Sequence, residues 1–473
     1  MQPNHADAWA ADSERTLRPA VHSRPRRSLS TQTTICNAMS RKQNTNTSFH
    51  SSETQTIMLG YGTANLRMDF DPNRFSALAP HDSDARCLTD SDLAAALNEP
   101  IGAPPLEETI GKNDRVLLVV PDATRVAGVE RLAPLIVQRL NERGLSDSQI
   151  EILIGGGIHR PPTTVEINRI LGERVASRFA VHHHDANDES SLVKLGHTTR
   201  GTPVELNRRL LESDHVIALG AITFHYFAGF SGGRKAILPG CASARAIRAN
   251  HLLSFDLERL QKREGVASAL LDGNAVHEDM DEAVSMLNPS FLVNTIINAR
   301  NEISAVYAGH WRDAHRRGCD EYNAAHAVPI DGRRPAVIVS CGGAPRDTNM
   351  IQSHKALEHA ATALEPGGTM IALAECSQGL GRRDFLDWFV PGGSTATAQK
   401  LLQGYQVNGQ TAWGLRKKAE TFRILVVSSL ANELTRQMGL EPHASLESAL
   451  ATLNGQDGYI IPNGLTTLPQ LLN

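Results

Sequence analysis

Residues 220–251, GAITFHYFAGFSGGRKAILPGCASARAIRANH, gather His225, Lys235, His251 and five glycines in 32 positions. Lysine bonds covalently to carbonyl-type groups, imidazole is the commonest borderline metal ligand, and glycine lets backbone N–H groups approach a ligand closely. Three readings compete. A phosphate cradle needs G-x-x-x-x-G-K-[ST], but Arg234 separates Gly233 from Lys235 and Ala236 stands where the magnesium-binding hydroxyl belongs. The second reading is a structural turn with a surface lysine and two hydrogen-bonded histidines. The third is a covalent cofactor site with a metal ligand nearby.

Further candidates follow apolar runs. Residues 115–120, RVLLVV, empty into PDATR, where Asp122, Thr124 and Arg125 either cap a turn or face a ligand. Residues 149–154 empty into GGGIHR, which carries His159. Two histidines at the carboxyl ends of separate strands can flank one bound molecule, as chemistry on both faces of a carbon requires. In 181–185, VHHHD, strand alternation places His182 and His184 on one face and His183 on the other. Gln352 and Lys355 lie three apart on one face of an expected helix, where such residues are usually solvated. Cys241 sits inside the glycine-rich loop as a small semi-buried residue or, less simply, a metal ligand.

The elements that must position these groups alternate between strand and helix. Short apolar runs at 115–120, 149–154 and 215–219 read as buried parallel strands, with a helix over 129–143 after the first. A hairpin is expected at 57–68, a helix at 91–97 capped by Ser91, paired strands at 291–298 and 302–307, and a helix at 311–323. Proline, glycine and charge at 329–334 mark a linker. A second strand-helix series follows at 335–340, 369–373 and 423–427, and the last strand is free to return to the first domain. The fold class is α/β: two doubly wound α/β domains, 56–330 and 331–473, with a cleft between them, after a disordered tail at 1–55 whose Ser, Thr, Asn, Gln and Arg cannot bury enough apolar surface to order.

H-x3-GFSGG-x-KAILPG followed by N-H resembles the signature of the lactate racemase family dependent on the nickel-pincer nucleotide. D-x-T-R at 122–125, G-x-H-R at 157–160 with Thr164 and Glu166, and D-T-N with Q-x-x-K-A at 347–356 fit the same family in order and spacing. The resemblance runs from about Met58 to the C-terminus. It implies that Lys235 is joined through a thioamide to a pyridinium nucleotide, that His251 ligates its nickel, and that His159 and His225 are the two acid/base groups. It places Arg125, Gln352 and Lys355 on the substrate and Asp122, Gly232 and Gly233 on the cofactor, with His184 behind or against the nucleotide. The reaction implied is racemisation or epimerisation of a lactate-like 2-hydroxy acid by reversible hydride transfer through a 2-oxo acid. Proteins that synthesise the cofactor and insert nickel are the implied transient partners. Val126 departs from the family's proline, which leaves the charge at Arg125 but alters the loop. A longer or sugar-derived 2-hydroxy acid, with Ile351 and Val126 shaping its pocket, is the alternative substrate. A cofactor-free binding protein is the alternative class, although it needs no such set of histidines and lysine.

Bulk properties narrow the remaining classes. The 473 residues carry a net charge of −4 with both signs interspersed, which gives nucleic acid no basic footprint. No window is apolar enough for a membrane span and no secretory signal is evident, so a cytoplasmic protein is expected. Six scattered cysteines without C-x-x-C spacing read as reduced thiols.

Overall fold

The computed structural model describes residues 54–80 and 85–472. The tail expected at 1–55 lies outside the described residues except for its last two positions.

The apolar run after Arg115 forms the strand Val116–Pro121, buried from Val116 through Val120. Alternate residues enter different cores: Leu117 and Val119 face one layer, and Val116, Leu118 and Val120 the other. Burial on both faces is what a parallel strand between two helical layers needs. This strand is central in a six-stranded sheet ordered Ile303–Gly309, Phe291–Ile297, His215–Ala221, Val116–Pro121, Ile150–Gly155, Ala180–His183. Only the Ile303–Gly309 edge is antiparallel to its neighbour. Successive strands build outward on one side of Val116–Pro121 and then resume on its other side at His215–Ala221. A switch point of this kind opens a crevice beyond the carboxyl ends of the two strands. The loops bordering it carry Asp122, Arg125, His225 and Lys235.

The second sheet is wholly parallel, ordered Glu441–His443, Arg423–Val427, Leu364–Leu373, Arg334–Ser340, Gly458–Ile461, Phe75–Ala77. Val337 and Val339 face one core, Ala336 and Ile338 the other. Its switch point falls between Arg334–Ser340 and Gly458–Ile461. The loop after Arg334–Ser340 leads into the helix Met350–Ala360, which carries Gln352 and Lys355. Both doubly wound lobes belong to one compact unit over residues 52–473.

The division at residue 330 does not separate the lobes cleanly. The hairpin Gln55–Tyr61 with Ala64–Phe70 and the edge strand Phe75–Ala77, expected in the 56–330 domain, pack instead on the second sheet, where Leu59, Met68 and Phe70 meet Ile338, Ile371 and Leu425. An amphipathic hairpin needs a sheet to cover, and its alternation does not say which. Asp347 pins it there by accepting the Gly62 N–H at 2.8 Å and the Glu375 N–H at 3.1 Å. The expected linker begins as strand, because Ala327–Ile330 pairs in parallel with Leu468–Leu471, and Leu468 enters the first lobe's core. The helix expected at 91–97 spans Asp90–Asn98, and its cap is Thr89 in a capping box with Asp92 rather than Ser91.

Candidate active site

After His215–Ala221 the chain makes a two-residue pairing, Phe224–His225 against Gly229–Phe230. The Ala228 N–H thereby reaches His225 Nδ1 at 3.3 Å. A single 3-10 turn, Gly233–Ala236, then lifts Lys235 so that its Nζ lies 3.2 Å from His225 Nε2 and 5.3 Å from the centre of the Phe227 ring. Gly232 and Gly233, read as cofactor-binding positions, have φ of 72° and 54°, conformations that glycine adopts without penalty. Their missing side chains make room for protein. A Cβ on Gly232 would lie 2.7 Å from Asn294 Oδ1, one on Gly233 2.5 Å from His315 Cγ, and the Gly233 N–H donates to Asn294 Oδ1 at 2.8 Å. The double glycine seats the loop on the sheet, and its second N–H is already taken.

His251 ends the helix Ala244–Leu252, capped by Ser243. Its neighbour Asn250 fixes the helix by donating to Asp279 Oδ2 at 2.9 Å and to the Val276 carbonyl at 3.1 Å. The His251 ring is 5 % exposed, lies edge-on to Phe227 at 4.9 Å and Tyr405 at 6.3 Å, and neither of its nitrogens has a hydrogen-bond partner. Burial, with the charge of Lys235, pushes its pKa down to about 3. Buried imidazole nitrogens are ordinarily satisfied, so a neutral, unpartnered ring of this kind suits a metal ligand.

One strand from the switch point, exposed His159 places Nδ1 2.6 Å from Asp122 Oδ2, and Thr124 donates its hydroxyl to Asp122 Oδ1 at 2.7 Å. A carboxylate only accepts, so Nδ1 carries the proton and Nε2 is the nitrogen left with a free lone pair. Burial alone would raise the Asp122 carboxyl, but the hydrogen bond and charge of His159, with Thr124 and Arg125, hold it below its ordinary value. Asp122, expected on the cofactor, therefore acts as the orienter of His159.

Arg125 is exposed and makes no ion pair among the described residues. Across the cleft, Lys355 donates to Gln352 Oε1 at 2.6 Å, and burial followed by the charge of Arg125 lowers its pKa to about 7. Burial, then Arg234, Arg125 and Lys355, push Lys235 well below its usual range. His225 is held well below 6.5 by burial and by Lys235, Arg125, Lys355 and His251 in turn. Residues from both lobes thus converge on one cationic space that an anion would relieve.

Other sequence candidates serve the scaffold. His184 donates from Nε2 to the Ala242 carbonyl at 2.9 Å and accepts from Asn207 at Nδ1 at 3.2 Å, so both nitrogens hold the loop rather than a nucleotide. His182 turns instead to Glu151 at 3.3 Å, and the two do not share a ligand. Cys241 is a fully buried core residue whose thiol burial raises. Glu166 forms a capping box with Thr163 and grips Arg160 at 2.6 Å. Ile351 packs against the second lobe's core rather than standing alone as a pocket wall. Sequence reading missed Asn294 and Tyr226; the latter stacks on His225 at 5.4 Å and 10°. Neither carries a motif, and only the apolar setting of Asn294 in FLVNTII marks a polar group that must find a partner.

Paired histidines, a buried lysine and a cationic cleft between two doubly wound lobes are the equipment of an isomerase. The chain belongs to the lactate racemase family: the lactate racemase N-terminal domain matches residues 61–262 and the C-terminal domain residues 332–468. It is 29 % identical over 429 residues to the lactate racemase of Thermoanaerobacterium thermosaccharolyticum, covering 87 % of this chain and 98 % of that one. It is 33 % identical over 290 residues to the lactate racemase of Lactiplantibacillus plantarum, covering 61 % and 67 %. The structure of the T. thermosaccharolyticum lactate racemase apoprotein superposes with a TM-score of 0.81 at 27 % identity, over 88 % of this chain and all of that one. Among the described residues no helix is long and apolar enough to cross a membrane.

Proposed function

We propose that this chain racemises lactate or a closely related 2-hydroxy acid with a nickel-pincer nucleotide bound through Lys235. The observation that carries the reading is His251, a buried imidazole with both nitrogens unpartnered, on the helix that follows the turn presenting Lys235. A single imidazole holds nickel weakly, so a bound group has to supply the other donors. Lysine deprived of solvent and surrounded by cations is a neutral nucleophile, the form that covalent attachment needs.

A 2-hydroxy acid has a Cα–H too weakly acidic for easy proton abstraction, and inversion through a planar 2-oxo acid avoids that step. When bound, the cofactor supplies the hydride acceptor and donor. The protein supplies position and proton transfer. Arg125, exposed and in no ion pair among the described residues, forks onto the substrate carboxylate, and Lys355, steadied by Gln352, adds a second charge from the other lobe. His159, oriented by Asp122, and His225 take and return the hydroxyl proton from different loops. The anion offsets the cations around His225 and restores its proton affinity toward the working range.

The test is protein co-expressed with the proteins that make the cofactor and insert nickel. Intact mass, nickel content and racemisation of each lactate enantiomer are measured. An adduct, about one nickel per chain and inversion in both directions are expected; nickel-free protein with no adduct, beside a relative that loads normally, removes the reading.

A further inference from the structure

Behind His251 runs a directional chain of hydrogen bonds that begins in the other lobe. Tyr405 donates its hydroxyl to Gln410 Oε1, Gln410 Nε2 donates to Ser254 Oγ at 2.8 Å, and Ser254 Oγ donates to the His251 carbonyl at 2.7 Å. The Ser254 N–H reaches the same carbonyl at 3.0 Å. The three side-chain links run in one direction, and a buried network of this kind fixes one geometry. All four residues are at least nine-tenths buried. Gln410 and its neighbour Thr411 lie on the second-lobe helix Val407–Thr421, where the Thr411 hydroxyl turns back to the Val407 carbonyl at 3.4 Å. One helical turn further on, Trp413 packs edge-on against Phe255 at 4.6 Å, and Phe255 belongs to the second lobe's core although it follows His251 by four residues.

We propose that Gln410 is a positioning residue that holds the backbone of His251, and hence its metal-facing ring, only when the two lobes are docked. The inference rests on the proposed role of His251. A hydroxyl or amide in these links changes no charge, so its effect falls on geometry and on retention of the metal. Nothing in the local sequence of 251–254 supplies the anchor; it arrives from a helix more than 150 residues away.

The experiment uses the full chain loaded by co-expression and follows nickel release to a chelator. Gln410→Met keeps volume and removes the outer two links; Ser254→Ala removes the inner two. Each is expected to speed release about fivefold to tenfold, the effect of loosening a buried hydrogen-bonded anchor, and the double variant should release no faster than Ser254→Ala, which already cuts the chain at His251. Thr411→Val, next to Gln410 on the same helix but outside the chain of bonds, should release at the wild-type rate. Wild-type release from Gln410→Met, multiplied effects in the double variant, or equal acceleration by Thr411→Val overturns the proposal. Amide exchange in cofactor-free protein is the second readout: Gln410→Met should raise exchange at Ser254 about fivefold without changing strand Ile150–Gly155, and unchanged exchange counts against the chain. That readout decides the matter even if the wild type takes up no nickel, which would instead remove the racemase reading. Should Gln410→Met fail to fold, Tyr405→Phe removes only the outer link and is read by the same two measurements.

Discussion

His225 Nε2 lies 3.2 Å from Lys235 Nζ, while the Ala228 N–H occupies the ring's other nitrogen. With Nδ1 accepting, the neutral ring carries its proton on Nε2, facing the Lys235 nitrogen. The proposed attachment makes that nitrogen the nucleophile. Lys235→Ala and Lys235→Arg should both lose the cofactor mass and all racemisation. His225→Ala should keep the adduct and lose about 10²–10⁴-fold in kcat. Mass spectrometry beside a lactate assay separates the two roles, and racemisation by Lys235→Ala would falsify the covalent assignment.

Asp122 and His159 form the second pair. In Asp122→Asn the Thr124 hydroxyl holds the amide oxygen and turns the amide N–H toward Nδ1, so the proton moves to Nε2 and that nitrogen loses its basic form. We expect kcat to fall about 100-fold or more, with adduct and nickel content unchanged. The carboxyl lies below its ordinary value in the folded chain, so its stabilisation is present above the unfolded carboxylate pKa and lost as pH falls through the folded one. The melting temperatures of wild type and Asp122→Asn should therefore differ near neutrality and converge below about pH 4. A difference that persists in acid would mean that the pair is not what holds the loop.

How much of this was legible beforehand follows from what a local pattern can encode. The apolar runs at 115–120 and 149–154 marked buried strands, and the residues at their ends included Asp122 and His159. That the two touch depends on the strands being neighbours in the sheet, which no local spacing states. Gly232 and Gly233 were legible as necessary glycines, but the occupants of their empty Cβ positions are Asn294 and His315, 62 and 82 residues later. The fold class was readable from strand-helix alternation. The placement of the N-terminal hairpin was not, because its apolar face fits either sheet.

His251 tests the metal. His251→Ala should retain the adduct on Lys235, since the two side chains act on different atoms, and should lose nickel to chelators or fail to retain it during purification. Intact mass and metal content in the same sample check this. Nickel retained at wild-type stoichiometry would place the metal elsewhere.

Lys355 gives a pH dependence to substrate binding. Its pKa is lowered to about 7, first by burial and then by Arg125, so the free enzyme loses this charge as pH rises through about 7. A bound carboxylate favours the charged form. KM for a 2-hydroxy acid should rise above pH 7, approaching tenfold per pH unit, while Lys355→Arg flattens the profile because a guanidinium stays charged. The folded chain binds fewer protons here than the unfolded one between about pH 7 and the ordinary lysine value, so this group's contribution makes unliganded stability rise with pH across that window. A KM in the wild type that is flat from pH 6 to 9 would exclude Lys355 as a carboxylate partner.

Substrate length can be argued from the rim. Val126 follows Arg125 and is 48 % exposed; Ile158 precedes His159 and is 43 % exposed. Each apolar side chain thus adjoins a residue assigned to the carboxylate or the hydroxyl, and each leaves nearly half of its surface open. An added methylene that buries against such surface is worth roughly 0.8 kcal/mol, about fourfold in affinity. In a panel of chiral acids, 2-hydroxybutyrate should match or exceed lactate in kcat/KM by up to about that factor. Polyhydroxy acids, which bring hydroxyls with no acceptor at Val126 or Ile158, should fall below both. Val126→Asp should erase the preference for the extra methylene while leaving racemisation of lactate measurable. A sugar-derived acid that outperforms lactate would reassign the substrate without touching the catalytic residues.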